Sequence, residues 1–216
     1  MKTPLWLFTV FALAVVLITV SPAAAQTLYE NGPINGETDA WTINFGFGVA
    51  DSFTVTGAPA AVGGLSFGAW LSPGVVLESA EVSITEFPFS GTVYFDQQVN
   101  FTQSGCFLNS YSFNVCTETG TFNGPTLNDG EYWVDLQNAV TSDGSPVYWD
   151  ENSGVGCHSP GCPSEGDNGG VGTLPSEAFT ILGTTSGTGT TPEPGSLLLF
   201  GGGLVASLGF VRRRFW

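Results

Sequence analysis

Few side chains in this 216-residue sequence are equipped for chemistry. Four cysteines stand at Cys106, Cys116, Cys157 and Cys162, and the single histidine, His158, lies between the last two. An even cysteine count in an oxidising compartment reads as two disulfides. Three pairings are possible; Cys106–Cys116 with Cys157–Cys162 is favoured because each closes a local loop. The competing chemistry is a zinc site with Cys157, His158 and Cys162 as ligands. A nucleophilic triad would depend on His158 alone, in the exposed loop Cys-His-Ser-Pro-Gly-Cys.

Carboxylates offer two more possibilities. Asp150-Glu151 beside Trp149 is an acid pair next to a stacking ring, the equipment of a glycoside hydrolase. Adjacent strand residues point to opposite faces, however, so the two cannot cooperate on one sugar without a bulge. Asp150, Glu151 and Asn152, or Glu165-Gly166-Asp167-Asn168, are oxygen-rich runs of the kind Ca²⁺ accepts, with Asp150, Glu151 and Asp167 as candidate ligands. Neither matches an EF-hand, and solvated turns explain both.

The aromatic stock is rich: Trp41, Trp70, Trp133 and Trp149 with Tyr94, Tyr111, Tyr132 and Tyr148. Rings flanked by amides and acids suit a sugar-binding face. Tyr148, Trp149 and Asn152 form one candidate group, and Trp133 with Tyr132, Gln137 and Asn138 another. The plainer reading is core, since tryptophan is usually largely buried.

Charge excludes more than it suggests. The four basic residues are Lys2 and Arg212, Arg213 and Arg214, at the two ends of the chain. Eighteen of the 19 acidic residues lie between them and before Glu193, so the central region carries about −18 with no Lys or Arg. Schiff-base lysines and arginine clamps are therefore absent. Nucleic acid, whose phosphates are bound by cations, is not an expected partner. Self-repulsion should ease with salt or divalent cations.

The elements that must position these residues read as strands. Trp41, Ile43, Phe45 and Phe47 share one face by the two-residue period, with Ser52–Thr56 as a hairpin partner through a turn at 48–51. Further strands are expected over 65–71, 75–87, 91–99, 111–118, 132–140, 147–150 and 178–182, separated by Gly, Pro, Asn and Asp. No window shows a convincing helical period. The expectation is all-β: a single β-sandwich or jelly-roll-like domain over 26–182, its first and last strands close together.

The ends are of another kind. Lys2, the apolar run Leu5–Val20 and Ala23-Ala24-Ala25 read as a signal peptide over 1–25, removed by signal peptidase before Gln26. Residues 183–191, rich in Gly, Thr and Ser, read as a flexible linker. Pro192-Glu193-Pro194 is followed by an uncharged run over 196–211 and then Arg212-Arg213-Arg214. Sixteen helical residues reach about 24 Å, a marginal span for a hydrocarbon core of about 30 Å, and Gly201-Gly202-Gly203 weakens it further. The terminal arginines suit cytoplasmic headgroups.

That order of parts over 192–216 resembles the PEP-CTERM sorting signal of exported proteins of Gram-negative bacteria that make extracellular polysaccharide. The resemblance implies transient anchoring of the C-terminal helix in the inner membrane. It implies cleavage near Pro192-Glu193-Pro194 by an exosortase, a membrane-embedded cysteine protease. The destination would be the cell surface, outer envelope or extracellular matrix, in a biofilm setting. Leu28–Pro33, Ala40–Ile43, Asn138–Val140 and Pro146–Asn152 also look like exported PEP-CTERM domains of unassigned function. The sequence thus favours a non-enzymatic surface protein without a cofactor that binds exopolysaccharide. The alternatives are a structural or adhesive protein with a protein partner and, third, a secreted carbohydrate-active enzyme.

Overall fold

Strand periodicity with frequent Gly, Asn and Asp breaks yields antiparallel sheet throughout the described residues, 25–57, 59–152, 164–167 and 172–185 of a computed structural model. Fourteen strands are present there. They are β1 (Gln26–Glu30), β2 (Ala40–Thr42), β3 (Gly48–Val55), β4 (Ala60–Leu71), β5 (Leu77–Phe87), β6 (Ser90–Asn100) and β7 (Thr102–Leu108). The remainder are β8 (Asn114–Thr121), β9 (Thr126–Leu127), β10 (Gly130–Thr141), β11 (Val147–Asp150), β12 (Ser164–Asp167), β13 (Gly172–Leu174) and β14 (Phe179–Thr185). No helix is found among the described residues, and none there could cross a membrane. The chain divides after Thr185, and the expected sorting helix over 196–211 lies outside the described residues.

Two sheets pack face to face. The first contains β4 as its long central strand. One edge of β4 is followed by β14 over Ala60–Phe67 and by β11 over Ala69–Leu71; its other edge pairs with β8 and β9. β1 extends this sheet beyond β14, β2 beyond β11, and β7 beyond β8. The second sheet has the order β13-β12-β3-β10-β5-β6. The pairing of β1 with β14 brings the first and last strands together, as sandwich termini favour.

The core lies between the inward residues of both sheets. Leu65, Phe67, Ala69 and Leu71 of β4 alternate with Ser66, Gly68 and Trp70 on the outer face. Val82 and Ile84 of β5 and Val134 and Leu136 of β10 close the other side. Phe67, Trp149 and Phe179 meet edge to face there, with ring centroids 5.6–5.9 Å apart.

Two strand expectations are corrected. The run Trp41–Phe47 does not continue as one strand, and it forms no hairpin with the following segment. β2 ends at Thr42 because Asn44 folds back, accepting from the Thr42 hydroxyl and donating to Ser145 O. Phe45 then sits at φ 58° and 64% exposed, off the expected apolar face. The residues expected to turn, 48–51, are instead the first half of β3, which belongs to the other sheet. β8 likewise starts at Asn114, not Tyr111, because Asn109 Oδ1 accepts the N–H groups of Tyr111 and Phe113 and holds a turn. At the far end β14 runs to Thr185, taking in the first residues of the expected linker.

Cys106 and Cys116 are joined, tying β7 to β8. Cys157, His158 and Cys162 lie outside the described residues. In the chain-entropy picture a loop of this length stabilises by about 2–3 kcal/mol. Replacing both cysteines with serine is therefore expected to lower a calorimetric Tm by about 5–10 °C. An unchanged Tm would show that the turn at Asn109 already orders the hairpin.

Candidate functional site

The outer face of the first sheet carries a cleft of about 380 Å³. Its floor is Trp70 of β4. Tyr148 of β11 stands directly opposite Trp70 in the ladder, and both point outward by the alternation that turns Trp149 inward. Tyr111 and Phe113 come from the turn between β7 and β8. Tyr111 stacks on Trp70 at 5.5 Å and 26°, and Phe113 contacts both Trp70 (5.9 Å) and, edge-on, Tyr148 (5.6 Å). Trp70 is 5% exposed and Tyr111 55%, so the hairpin ring is the one offered to solvent. Thr38, Asp39 and Ala40 complete the wall. A larger cavity of about 620 Å³ lies by Gly63, Asn123 and Gly183, but among the described residues no charged side chain lines it and Phe122 is its only ring.

The segment between β1 and β2, residues 31–39, crosses this outer face and sets the cleft's edge. Asp150 holds it. Its carboxylate accepts from Asn35 N (2.9 Å), Gly36 N (3.0 Å) and Trp70 Nε1 (2.6 Å). One fully buried acid therefore pins the crossing segment and orients the floor tryptophan. Close approach requires glycine twice. A Cβ on Gly68 would lie 2.8 Å from Asp150 Cβ and 2.9 Å from Ile34 Cγ2. Gly36 has φ +65°, and a Cβ there would lie 2.7 Å from Val115 Cγ2.

Beneath and beside the cleft lies a layer of buried acids with no cation among them. Burial pushes Asp150 up to about 6 against its three N–H donors, and burial with Asp39 nearby pushes Glu151 to about 7. Asp51, on the inward face of β3, is pushed to about 7 by burial although four donors oppose it: Ser52 N, Asn31 Nδ2, Ser176 Oγ and Glu177 N. Glu177 is driven well above the carboxylate range by burial and then by Asp51. Its Oε1 accepts from Ser164 Oγ at 3.2 Å, and its buried Oε2 has no donor among the described residues. Of the two, Asp51 is therefore the first to give up its proton, and Glu177 retains one. Asn152 ties the layer together, donating to Asn31 O and Glu177 O.

The expected site residues separate. Tyr148 reaches the cleft. Trp149 does not: it is fully buried, its Nε1 donating to Ala178 O at 3.0 Å, so it is a core residue and not a stacking surface. Asn152 is 3% exposed and holds backbone. Trp133 lies on the outer face of the other sheet, opposite Ser52 and Thr85, away from the cleft. The calcium set is not assembled. Asp150 and Glu151 are buried and engaged in the first sheet, whereas Asp167 pairs with Gly48 in the second. No cluster of three or more potential metal ligands occurs among the described residues. Phe113, Asp51, Ser176 and Glu177 had no distinguishing signal in the sequence except an acid at an inward parity in β3.

Fold and cleft define an all-β sandwich domain with an aromatic surface site over buried acids. Its handling is defined by the C-terminal segment. Residues 190–214 match the family model of the PEP-CTERM protein-sorting motif, so the chain carries that sorting motif. The motif marks it for export and for surface or extracellular placement by an exosortase-like system. Neither a curated protein nor a solved structure matched the chain.

Proposed function

We propose that the sandwich is a glycan-binding module of the cell surface or matrix and that it takes exopolysaccharide in the Tyr111–Trp70–Tyr148 cleft. The supporting observation is Tyr111: a ring 55% exposed, stacked on a buried tryptophan and held by a disulfide-closed hairpin. Such a ring offers its free face to sugar C–H groups at little ordering cost, because its position is already fixed. Asp39 and Thr38 supply hydrogen-bonding groups at the rim. With about −18 and no Lys or Arg in the domain, neutral chains are favoured over uronate polymers.

On this reading the protein leaves a Gram-negative cytoplasm through signal peptidase and loses its inner-membrane anchor at Pro192-Glu193-Pro194. It then works in the envelope or biofilm matrix as a binding protein. Among the described residues Asp39 is the only carboxylate lining the cleft, which favours binding over two-acid hydrolysis. One observation favours an adhesive, protein-binding role: Phe107 (43% exposed) and Leu108 (64%) join Tyr111 at the same hairpin end.

Co-sedimentation of the processed protein with exopolysaccharide from its own cells tests the proposal. Tyr111→Ala is expected to weaken saturable binding about tenfold, equivalent to about 1.4 kcal/mol, with Tm unchanged within about 2 °C. Absence of wild-type binding, or full binding by Tyr111→Ala, removes the cleft as a glycan site. Calcium and chelator arms report directly on any metal requirement.

A further inference from the structure

The buried layer contains a nucleophile, a base and an electrophile that no glycan-binding role uses. Ser176 Oγ, Asp51 Oδ2 and the Asn31 carboxamide lie together, all three residues 0% exposed. Ser176 Oγ donates to Asp51 Oδ2 at 2.9 Å. Asn31 Nδ2 lies 3.0 Å from the same Oδ2 and 2.7 Å from Ser176 Oγ. Tyr29 OH donates to Asn31 Oδ1 at 2.7 Å, and Asn31 Nδ2 also donates to Glu177 O at 2.8 Å, an acceptor only, which fixes which end of the amide is nitrogen. A 2.7 Å N–H···O contact and a C–N bond of about 1.33 Å place Oγ about 3.6 Å from the amide carbon, near reacting distance.

We infer that Ser176 and Asn31 form an intramolecular ester with release of ammonia. Ser176 Oγ turns about its Cα–Cβ bond onto the face of the amide and attacks Asn31 Cγ, while its proton passes to Asp51 Oδ2. The carbonyl electron pair moves to Oδ1, where the Tyr29 hydroxyl stabilises the developing charge. The C–N bond then breaks, and Asp51 delivers the same proton to the departing nitrogen. The sum is carboxamide plus alcohol giving ester plus ammonia, with Asp51 restored and no oxidant or reductant required. One carboxylate oxygen bonded to both hydroxyl and amide nitrogen can shuttle the proton without moving. Burial keeps water from competing for the amide. Glu177 holds its own proton, so Asp51 is the first of the two to ionise and serve as the base, and burial raises Tyr29 so that it stays a hydroxyl donor.

The bond would fasten the end of β1 to the residues that lead into β14, positions 145 apart in sequence. Closing so long a loop covalently constrains the unfolded chain strongly.

The test is peptide mapping of the full chain, exported and processed by its own cells. Glutamate-specific and chymotryptic digestion is expected to yield, in most molecules, a joined pair of peptides carrying Asn31 and Ser176. The pair should weigh less than the two separate peptides by one ammonia. Hydroxylamine should split it, leaving Asn31 as a hydroxamate and Ser176 as free serine. Ser176→Ala and Asp51→Asn should abolish the pair, with circular dichroism reporting that each variant is folded. Recovery of both wild-type peptides linear and unmodified overturns the inference. So does conversion of Asn31 to isoaspartate beside an intact Ser176, which hydrolysis of an ester cannot give and which would show attack by the Gly32 backbone nitrogen instead.

Discussion

Between about pH 5 and pH 8 the domain is expected to lose stability, its Tm falling by on the order of 10 °C. The groups responsible are carboxyls buried without a cation. Asp51, Asp135 and Glu118 are each raised to about 7, and Asp150 to about 6, with burial the largest cause in every case. In the unfolded chain such groups ionise near 4. Between those values the folded state binds more protons than the unfolded state, so stability falls as pH rises and levels off above about 7. Moving a carboxyl from 3.8 to about 7 corresponds to at most about 4 kcal/mol per group. Relaxation and water entry reduce the sum to several kcal/mol. Asp143, held low by its hydrogen bonds from Ser145, titrates below this window.

Asp135 carries the sharpest version of the prediction. Thr85 Oγ1 lies 2.8 Å from Phe87 O and 2.9 Å from Asp135 Oδ2, and it has one hydrogen to give. A proton on Asp135 Oδ2 satisfies both contacts, because the acid then donates to Thr85 while Thr85 donates to Phe87 O. Asp135→Asn reproduces that pattern with its amide and is expected to fold well and to reduce the slope of Tm against pH. A Tm that is flat or rises from pH 5 to pH 8 would show that these acids reach solvent. An unaltered slope in Asp135→Asn would remove Asp135 from the set.

The second large effect is at Trp149. Trp149→Ala is expected to cost about 3–5 kcal/mol in urea denaturation, because an indole between Phe67 and Phe179 leaves a cavity, and the Ala178 carbonyl keeps only its bond from Gly68 N. With total stabilities commonly about 5–15 kcal/mol, that loss threatens the fold itself. Trp149→Phe keeps the ring contacts and loses the hydrogen bond, for about 1–2 kcal/mol. A cost below about 1 kcal/mol for Trp149→Ala would place the ring outside the core. The contrast with Tyr111→Ala separates a residue that holds the sandwich from one that faces a ligand. Loss of glycan binding in Trp149→Ala would therefore report unfolding and not a lost contact.

Trp149 and Tyr148 also show how far the sequence reaches. The two-residue period establishes that adjacent strand residues face opposite sides, and it locates β11 at Val147–Asp150 as observed. It does not say which side is core. That depends on β4 lying beside β11, which sends Trp149 between the sheets and Tyr148 to the cleft. The first strand failed for a related reason: alternation continues through Phe47, but Asn44 satisfies its side chain by turning back to Thr42 and Ser145, a contact about 100 residues away in sequence.

The sequence by itself determined the class, the charge and the address of this protein. Alternation and turn residues set the all-β architecture through local sterics. The distribution of charged residues follows from composition, and the sorting motif is a contiguous run over 190–214. Local spacing was also enough for the Cys106–Cys116 disulfide. Only the tertiary structure decided where chemistry can occur. The cleft joins residues from β4, β11, the β7–β8 turn and the crossing segment before β2. The Tyr29, Asn31, Asp51 and Ser176 group spans nearly the whole domain in sequence. Such groups are assembled by strand pairing between distant segments, and their altered acidity comes from burial, which no single stretch of sequence encodes.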